Sequence, residues 1–127
     1  MMNLLFSFRG RINRARFWLV HVGILVVEIV VVLLLGGGAV LATGDYEQAM
    51  VIFTGPGGVV WFILMVVVLW ISLAIGVKRW HDRNKSGWWI LIILVPIVGP
   101  VWFLIECGFL KGTAGPNTYG PDPLLAS

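Results

Sequence analysis

"KRWHDRNKSGWW", Lys78–Trp89, places four cations, a His–Asp pair and three tryptophans within twelve residues. On either side lie long runs of Val, Ile and Leu. Val59–Val77 (VVWFILMVVVLWISLAIGV) precedes it, and Trp88–Cys107 (WWILIILVPIVGPVWFLIEC) begins at its end. Further upstream, Phe17–Leu35 (FWLVHVGILVVEIVVVLLL) is a run of the same kind. About 20 residues at about 1.5 Å each cross the roughly 30 Å hydrocarbon layer of a bilayer. Only helices and closed barrels satisfy their backbone there. Continuous aliphatic runs without two-residue alternation exclude barrel strands. The charged stretch is thus a turn between membrane helices. It predicts an all-α membrane protein, one integral-membrane domain over residues 1–127, with transmembrane helices at 17–35, 59–77 and 88–107.

Composition points the same way. Of 127 residues, 59% are hydrophobic and 12% charged, against about 45–50% and about 25% in soluble domains. So little charge cannot cover a soluble globule. The first run outlasts a signal-peptide core and is expected to be retained. Cys107, the single cysteine, excludes an internal disulfide.

Charge sets the expected orientation. Residues 1–16 hold four arginines and no acid, whereas Gly36–Gly58 holds Asp45 and Glu47 and no Lys or Arg. Positive-rich short loops stay in the cytoplasm. The N-terminus and the Lys78–Gly87 turn are therefore read as inside, and Gly36–Gly58 as outside. Three crossings then put the Gly/Pro-rich tail, residues 108–127, in the periplasm. Pro96 and Gly99-Pro100 interrupt the third run, which is expected to be Pro-kinked. A re-entrant hairpin returning the tail to the cytoplasm is the competing reading. Asp45 is expected near the cap of a helical extension, Asp45–Phe53, of the second helix.

Both basic clusters run into aromatics: RARFW at Arg14–Trp18 and KSGWW at Lys85–Trp89. Tryptophan favours the headgroup level, so Trp18, Trp80, Trp88 and Trp89 are read as interface anchors. The cations beside them suit an anionic leaflet. Arg9, Arg11, Arg14, Arg16, Lys78, Arg79, His81, Arg83 and Lys85 form the candidate site for lipid headgroups or a partner. Asp82 is placed to hold Arg79 or Arg83 by charge-assisted hydrogen bonds, and Ser86 to cap the third helix.

Three stretches carry a resemblance: FRGRINRARFW (Phe8–Trp18), RWHDRNKSGWW (Arg79–Trp89) and GTAGPNTYGPDP (Gly112–Pro123). In this order, with helices between them, they resemble the signatures of the domain of unknown function 805 family, the YhaH-like small membrane proteins. The resemblance covers nearly the whole chain. It implies a small polytopic protein of the bacterial inner membrane and brings no activity, substrate or catalytic residue with it. Where the family commonly has Leu or similar, this chain has Trp80.

Inside the apolar runs, His21, Glu28 and Ser72 stand out. Glu28 lies eleven residues past Phe17, about 16 Å into the layer by helical rise. A carboxylate there is expensive to ionise. Arg14, His21 and Glu28 recur every seven residues and share a helix face. Glu106 is expected to snorkel toward water at the outer end of the third helix. Gly23, Gly76 and Ala74 offer close-packing points for another helix.

His81-Asp82 has no second His or Cys at ligand spacing, so no metal or other cofactor is expected. The basic clusters carry no nucleic-acid-binding motif, and nucleic acid is not an expected partner. The expectation is a non-catalytic protein: an accessory subunit or anionic-lipid-binding module of a larger membrane complex, or a self-associating one. A small oligomeric proton-linked transporter using Glu28 is the alternative. A lipid-headgroup enzyme, which would require His81, is the weaker third reading.

Overall fold

The computed structural model describes residues 2–125; Ala126 and Ser127, the end of the expected tail, lie outside them. Among the described residues every element is helical, apart from one isolated β-bridge between Asn117 and Gly120. A short helix, α1 (Met2–Phe6), comes first. Two helical runs follow that are long and apolar enough to cross a membrane: Arg14–Thr43, of 30 residues, and Pro56–Asp82, of 27. The first contains α2 (Arg14–Val32), a π-helical turn (Leu33–Gly37) and α3 (Gly38–Thr43). The second is a single helix, α5. At about 1.5 Å per residue, α5 reaches about 40 Å, the hydrocarbon layer with much of its headgroup margin. Large aliphatics such as Leu25, Val26, Ile63 and Leu69 are exposed along these runs, as lipid contact requires.

The residues form two compact units. In one, Val22–Leu69, α4 (Tyr46–Thr54) starts at Asp45, whose carboxylate accepts the backbone N–H groups of Glu47 and Gln48 at 3.0 and 3.3 Å. Asp45 is thus a cap, as expected. The expected extension of α5 is not formed, however. Gly55 is extended, and Pro56, with no N–H to give, opens α5 as a new helix.

The other unit comprises the residues up to His21 and those from Trp70 on. Ile12, Phe17, Ile75, Trp80 and Cys107 form its core, with Leu4, Ile71, Ile90 and Phe103 packed on them. Trp80 is 0% exposed, between Trp89 and Phe103 at ring distances of 5.8 and 6.3 Å. It is a core residue and not the interface anchor expected. Gly76 lies against Ile90 and Phe103, and Ala74 is buried. Both are consumed by packing inside this chain, which leaves only Gly23 of the three expected contact points with open space around it.

The third apolar run departs most from expectation. Instead of one kinked helix it is a 3₁₀ helix (Gly87–Leu94), a turn, α6 (Val98–Phe103) and a π-helical turn (Leu104–Phe109). Val95 is extended, the conformation favoured before a proline, and Ile97 at φ 66° reverses the chain. The carbonyls that the prolines would have freed are taken within the turn, Ile92 O by Val95 N–H at 2.9 Å and Pro96 O by Val98 N–H at 2.7 Å. Gly99 passes directly over the Ile92 carbonyl, where any Cβ would collide. The first arm has eight residues, about 16 Å at about 2.0 Å each, roughly half of a hydrocarbon layer. The run is a hairpin, not a continuous helix of spanning length.

Candidate functional site

Because the hairpin turns back, the tail meets the same end of this unit as the N-terminal segment and the Lys78–Gly87 turn. Thr113 N–H donates to Asp82 O at 2.7 Å. Asn117 Nδ2 donates to His81 O at 2.9 Å, and Thr118 N–H to Asn84 Oδ1 at 3.3 Å. The Tyr119 ring stacks on His81 with centroids 3.9 Å apart and planes within 3°. The expectation of a tail across the membrane from the N-terminal segment is corrected by these contacts. The three stretches singled out in the sequence thus fold into one polar hub.

Asp82 is its centre. At the end of α5 it is one helical turn from Arg79, and its carboxylate accepts from Arg79 Nη1 and, at 3.0 Å, from Arg11 Nε. Arg11 also donates to Thr113 O at 2.6 Å, Gly115 O at 2.7 Å and Gly120 O at 3.2 Å. Arg79 donates to Cys107 O at 2.7 Å and Leu110 O at 2.6 Å. All three side chains are buried. Two guanidiniums around one carboxylate leave a surplus positive charge, and the backbone carbonyls of the tail and hairpin exit offset it. Burial of such a set is tolerable only when nearly every donor is matched. Asp82 therefore holds Arg79, as expected, and Arg11, which was not expected; Arg83 goes elsewhere.

Arg83 Nε and Lys85 Nζ both reach Glu106, at 2.9 and 2.7 Å. Glu106 is thus buried in the hub rather than snorkelling at an outer surface. Its place follows from the hairpin, which returns it to the level of Arg83. Lys85 also lies over the Trp80 and Trp89 rings, 5.5 and 5.2 Å from their centroids. Lys78 is buried and donates to Asn3 O and Leu4 O at 2.6 and 2.5 Å, tying down α1. His81 Nδ1 lies 3.2 Å from Gly10 O. Ser86 caps the 3₁₀ helix, accepting from Trp88 N–H at 3.4 Å.

The nine candidate residues therefore divide. Arg11, Lys78 and Arg79 are interior, and His81, Arg83 and Lys85 are engaged in the hub. Arg9, Arg14 and Arg16 are exposed and have no carboxylate partner among the described residues. Lys111, which sequence reasoning passed over, joins this group. Its only signal was its position beside the tail motif. Trp18 is exposed and its Nε1 donates to Gly108 O at 3.0 Å; Trp88 and Trp89 are exposed too, Trp88 the more so.

Of the intramembrane polar groups, His21 Nδ1 lies 2.8 Å from the Phe17 carbonyl one turn back. Glu28 and Ser72 are half-buried, and neither side chain makes a hydrogen bond or ion pair among the described residues. No three His, Cys, Asp or Glu side chains stand close enough to hold a metal ion among the described residues.

Residues 5–121 match the family model described as "Protein of unknown function (DUF805)". The chain is 31% identical to the inner membrane protein YhaH of Escherichia coli, over 94% of this chain and 88% of that protein. It is equally identical, at 31%, to the uncharacterized protein YiiR of the same organism, over 93% and 86% of the two chains. A shorter match, 41% identical over 43% of this chain and 46% of the other, is to the inner membrane protein YhaI. No solved structure matches the chain.

Proposed function

The chain belongs to the DUF805 family of proteins of unknown function, and from that premise we propose that it is a non-catalytic module whose polar hub binds the anionic cytoplasmic leaflet in service of a larger membrane complex. One observation carries this reading. All nine Lys and Arg residues belong to the unit that holds the hub, against only Asp82, Glu106 and Asp122. Each of those acids is already engaged, so the exposed cations Arg9, Arg14, Arg16 and Lys111 face outward without counter-charge from the chain. Near an anionic surface each such side chain contributes up to about 1 kcal/mol. The positive-inside tendency then places the hub, with the chain segments leading to both termini, in the cytoplasm.

The test is extraction into nanodiscs that carry native lipid, followed by mass spectrometry of lipid and protein. Anionic phospholipid enriched over the bulk membrane, with enrichment falling as salt rises, is the expected result. A shell identical to bulk lipid sinks the lipid reading. A protein partner at fixed stoichiometry is the outcome expected of an accessory subunit.

Glu28 favours a second reading. A half-buried carboxylate in an apolar helix, with no partner among the described residues, calls for a donor from another chain. Self-association around Glu28 supports a small proton-linked transporter. If Glu28→Gln leaves proton-coupled flux into proteoliposomes unchanged, that reading is lost.

A further inference from the structure

A cavity of about 640 Å³ opens beside the hub, between the start of α2 and the tail. Small-molecule sites commonly occupy about 300–1,000 Å³. Its lining mixes two kinds of chemistry. Arg14 and Lys111 bring two exposed cations to it; Trp18, Phe109 and Leu124 bring apolar surface. Arg14 donates one bond, from Nη1 to Phe109 O at 2.8 Å, and keeps its other guanidinium donors. The Lys111 amino group has no hydrogen bond or ion pair among the described residues.

Two carboxylates also line this space, and each is already engaged within the chain. Asp82 lies between the Arg11 and Arg79 guanidiniums. Asp122 directs its oxygens onto the backbone N–H groups of Gly115 and Leu124 at 2.8 and 2.9 Å. What remains is a recess to which α2 brings Arg14 and the Trp18 indole, and the hairpin exit brings Lys111 and the Phe109 ring. A free inorganic anion would leave the apolar lining uncovered, and a hydrocarbon would leave the cations unmatched.

We propose that this cavity binds the phosphate headgroup of one anionic phospholipid, with Arg14 and Lys111 on the phosphate and Trp18, Phe109 and Leu124 against its glycerol and upper acyl chain. The inference rests on the anionic-leaflet reading but adds a discrete site to a diffuse attraction.

Native mass spectrometry of the full chain in mild detergent, titrated with phosphatidylglycerol, tests it. One lipid should bind per chain, in preference to phosphatidylcholine. Arg14→Gln with Lys111→Gln should weaken that binding about tenfold or more, as loss of two charge-assisted contacts requires. Arg9→Gln with Arg16→Gln removes the same charge outside the cavity, touching only the diffuse attraction, and should weaken the binding by clearly less than the cavity pair does. Both cavity cations are exposed, and far-UV circular dichroism checks that each variant folds. Lys111→Gln alone, at a side chain that holds no internal bond, serves if the double variant does not. Equal weakening by both pairs overturns the discrete site and leaves the diffuse surface reading standing. Displacement of the lipid by inorganic phosphate at comparable concentration reassigns the site to a soluble phosphate and overturns the lipid. Absence of any anionic preference, here and in native nanodiscs, overturns both.

Discussion

Gly112 crosses the carboxylate of Asp82 so closely that a Cβ at that position would collide with both oxygens and the carbon between them. A side-chain end usually yields to such a clash. This one cannot, because Arg79 and Arg11 hold it from two sides in a buried site. Gly112→Ala is therefore expected to lift the tail, break the 2.7 Å bond from Thr113 N–H to Asp82 O and cost about 1–3 kcal/mol, as overpacking typically does. Thermal unfolding in detergent, with limited proteolysis of the tail, measures it. An unchanged melting temperature and an uncut tail would remove the close approach.

Asp82 itself carries more. Asp82→Asn leaves two buried guanidiniums without a counter-charge, and breaking a buried pair in this way costs about 3–5 kcal/mol. The Glu106 ion pairs are the natural comparison, since Arg83 and Lys85 retain 25% and 31% side-chain exposure. Partly exposed pairs fall closer to the surface value of about 0–1 kcal/mol. Double-mutant cycles should give a larger coupling for Arg11–Asp82 than for Arg83–Glu106. The reverse order would show that the hub is organised around Glu106 instead.

Acid should loosen the tail through Asp122. Its carboxyl is held below the usual carboxylate range, chiefly by the backbone N–H groups of Leu124 and Gly115. A depressed native pKa means that the released tail binds the proton more readily. The stabilisation is thus complete above the ordinary Asp value of about 3.9 and is lost as pH falls through the depressed one. Hydrogen exchange at the Gly115 and Leu124 amides should stay slow from neutral pH into mild acid and quicken only below that range. Asp122→Ala should quicken exchange at neutral pH and abolish the acid step. An acid step that survives the substitution assigns it to another group.

The long helices are legible in the sequence because length, apolarity and the lack of two-residue alternation decide them, barrel strands being the one alternative that satisfies the backbone in lipid. Asp45 and Ser86 are legible as caps for a local reason: each reaches N–H groups two or three residues away. The third run is different. Twenty apolar residues have the same composition whether they cross or turn back, and Pro96 with Gly99-Pro100 signals an interruption without saying which kind. The fate of Trp80, Glu106 and Arg11 hangs on that one choice. An arginine bound for a membrane surface and one bound for a buried ion pair look alike until the tail that supplies its carbonyl acceptors has been placed. Glu106 looks like an outer residue as long as the run is counted as a crossing.

That choice yields the most direct prediction. The hairpin predicts that the chain crosses the membrane twice, with Thr118 on the same side as Arg11. The contacts of the tail demand this, since Arg11 alone donates to Thr113, Gly115 and Gly120. No bilayer of about 30 Å can stand between those groups. Gln48, exposed on α4, belongs to the acidic segment that charge assigns to the outside. In intact cells a membrane-impermeant maleimide should label Gln48→Cys and leave Thr118→Cys untouched until the membrane is permeabilised. Cys107 is buried and contributes little background, and Cys107→Ala removes it. Labelling of Thr118→Cys from outside would restore the three-crossing topology, and with it separate the tail from the arginines that the hub depends on.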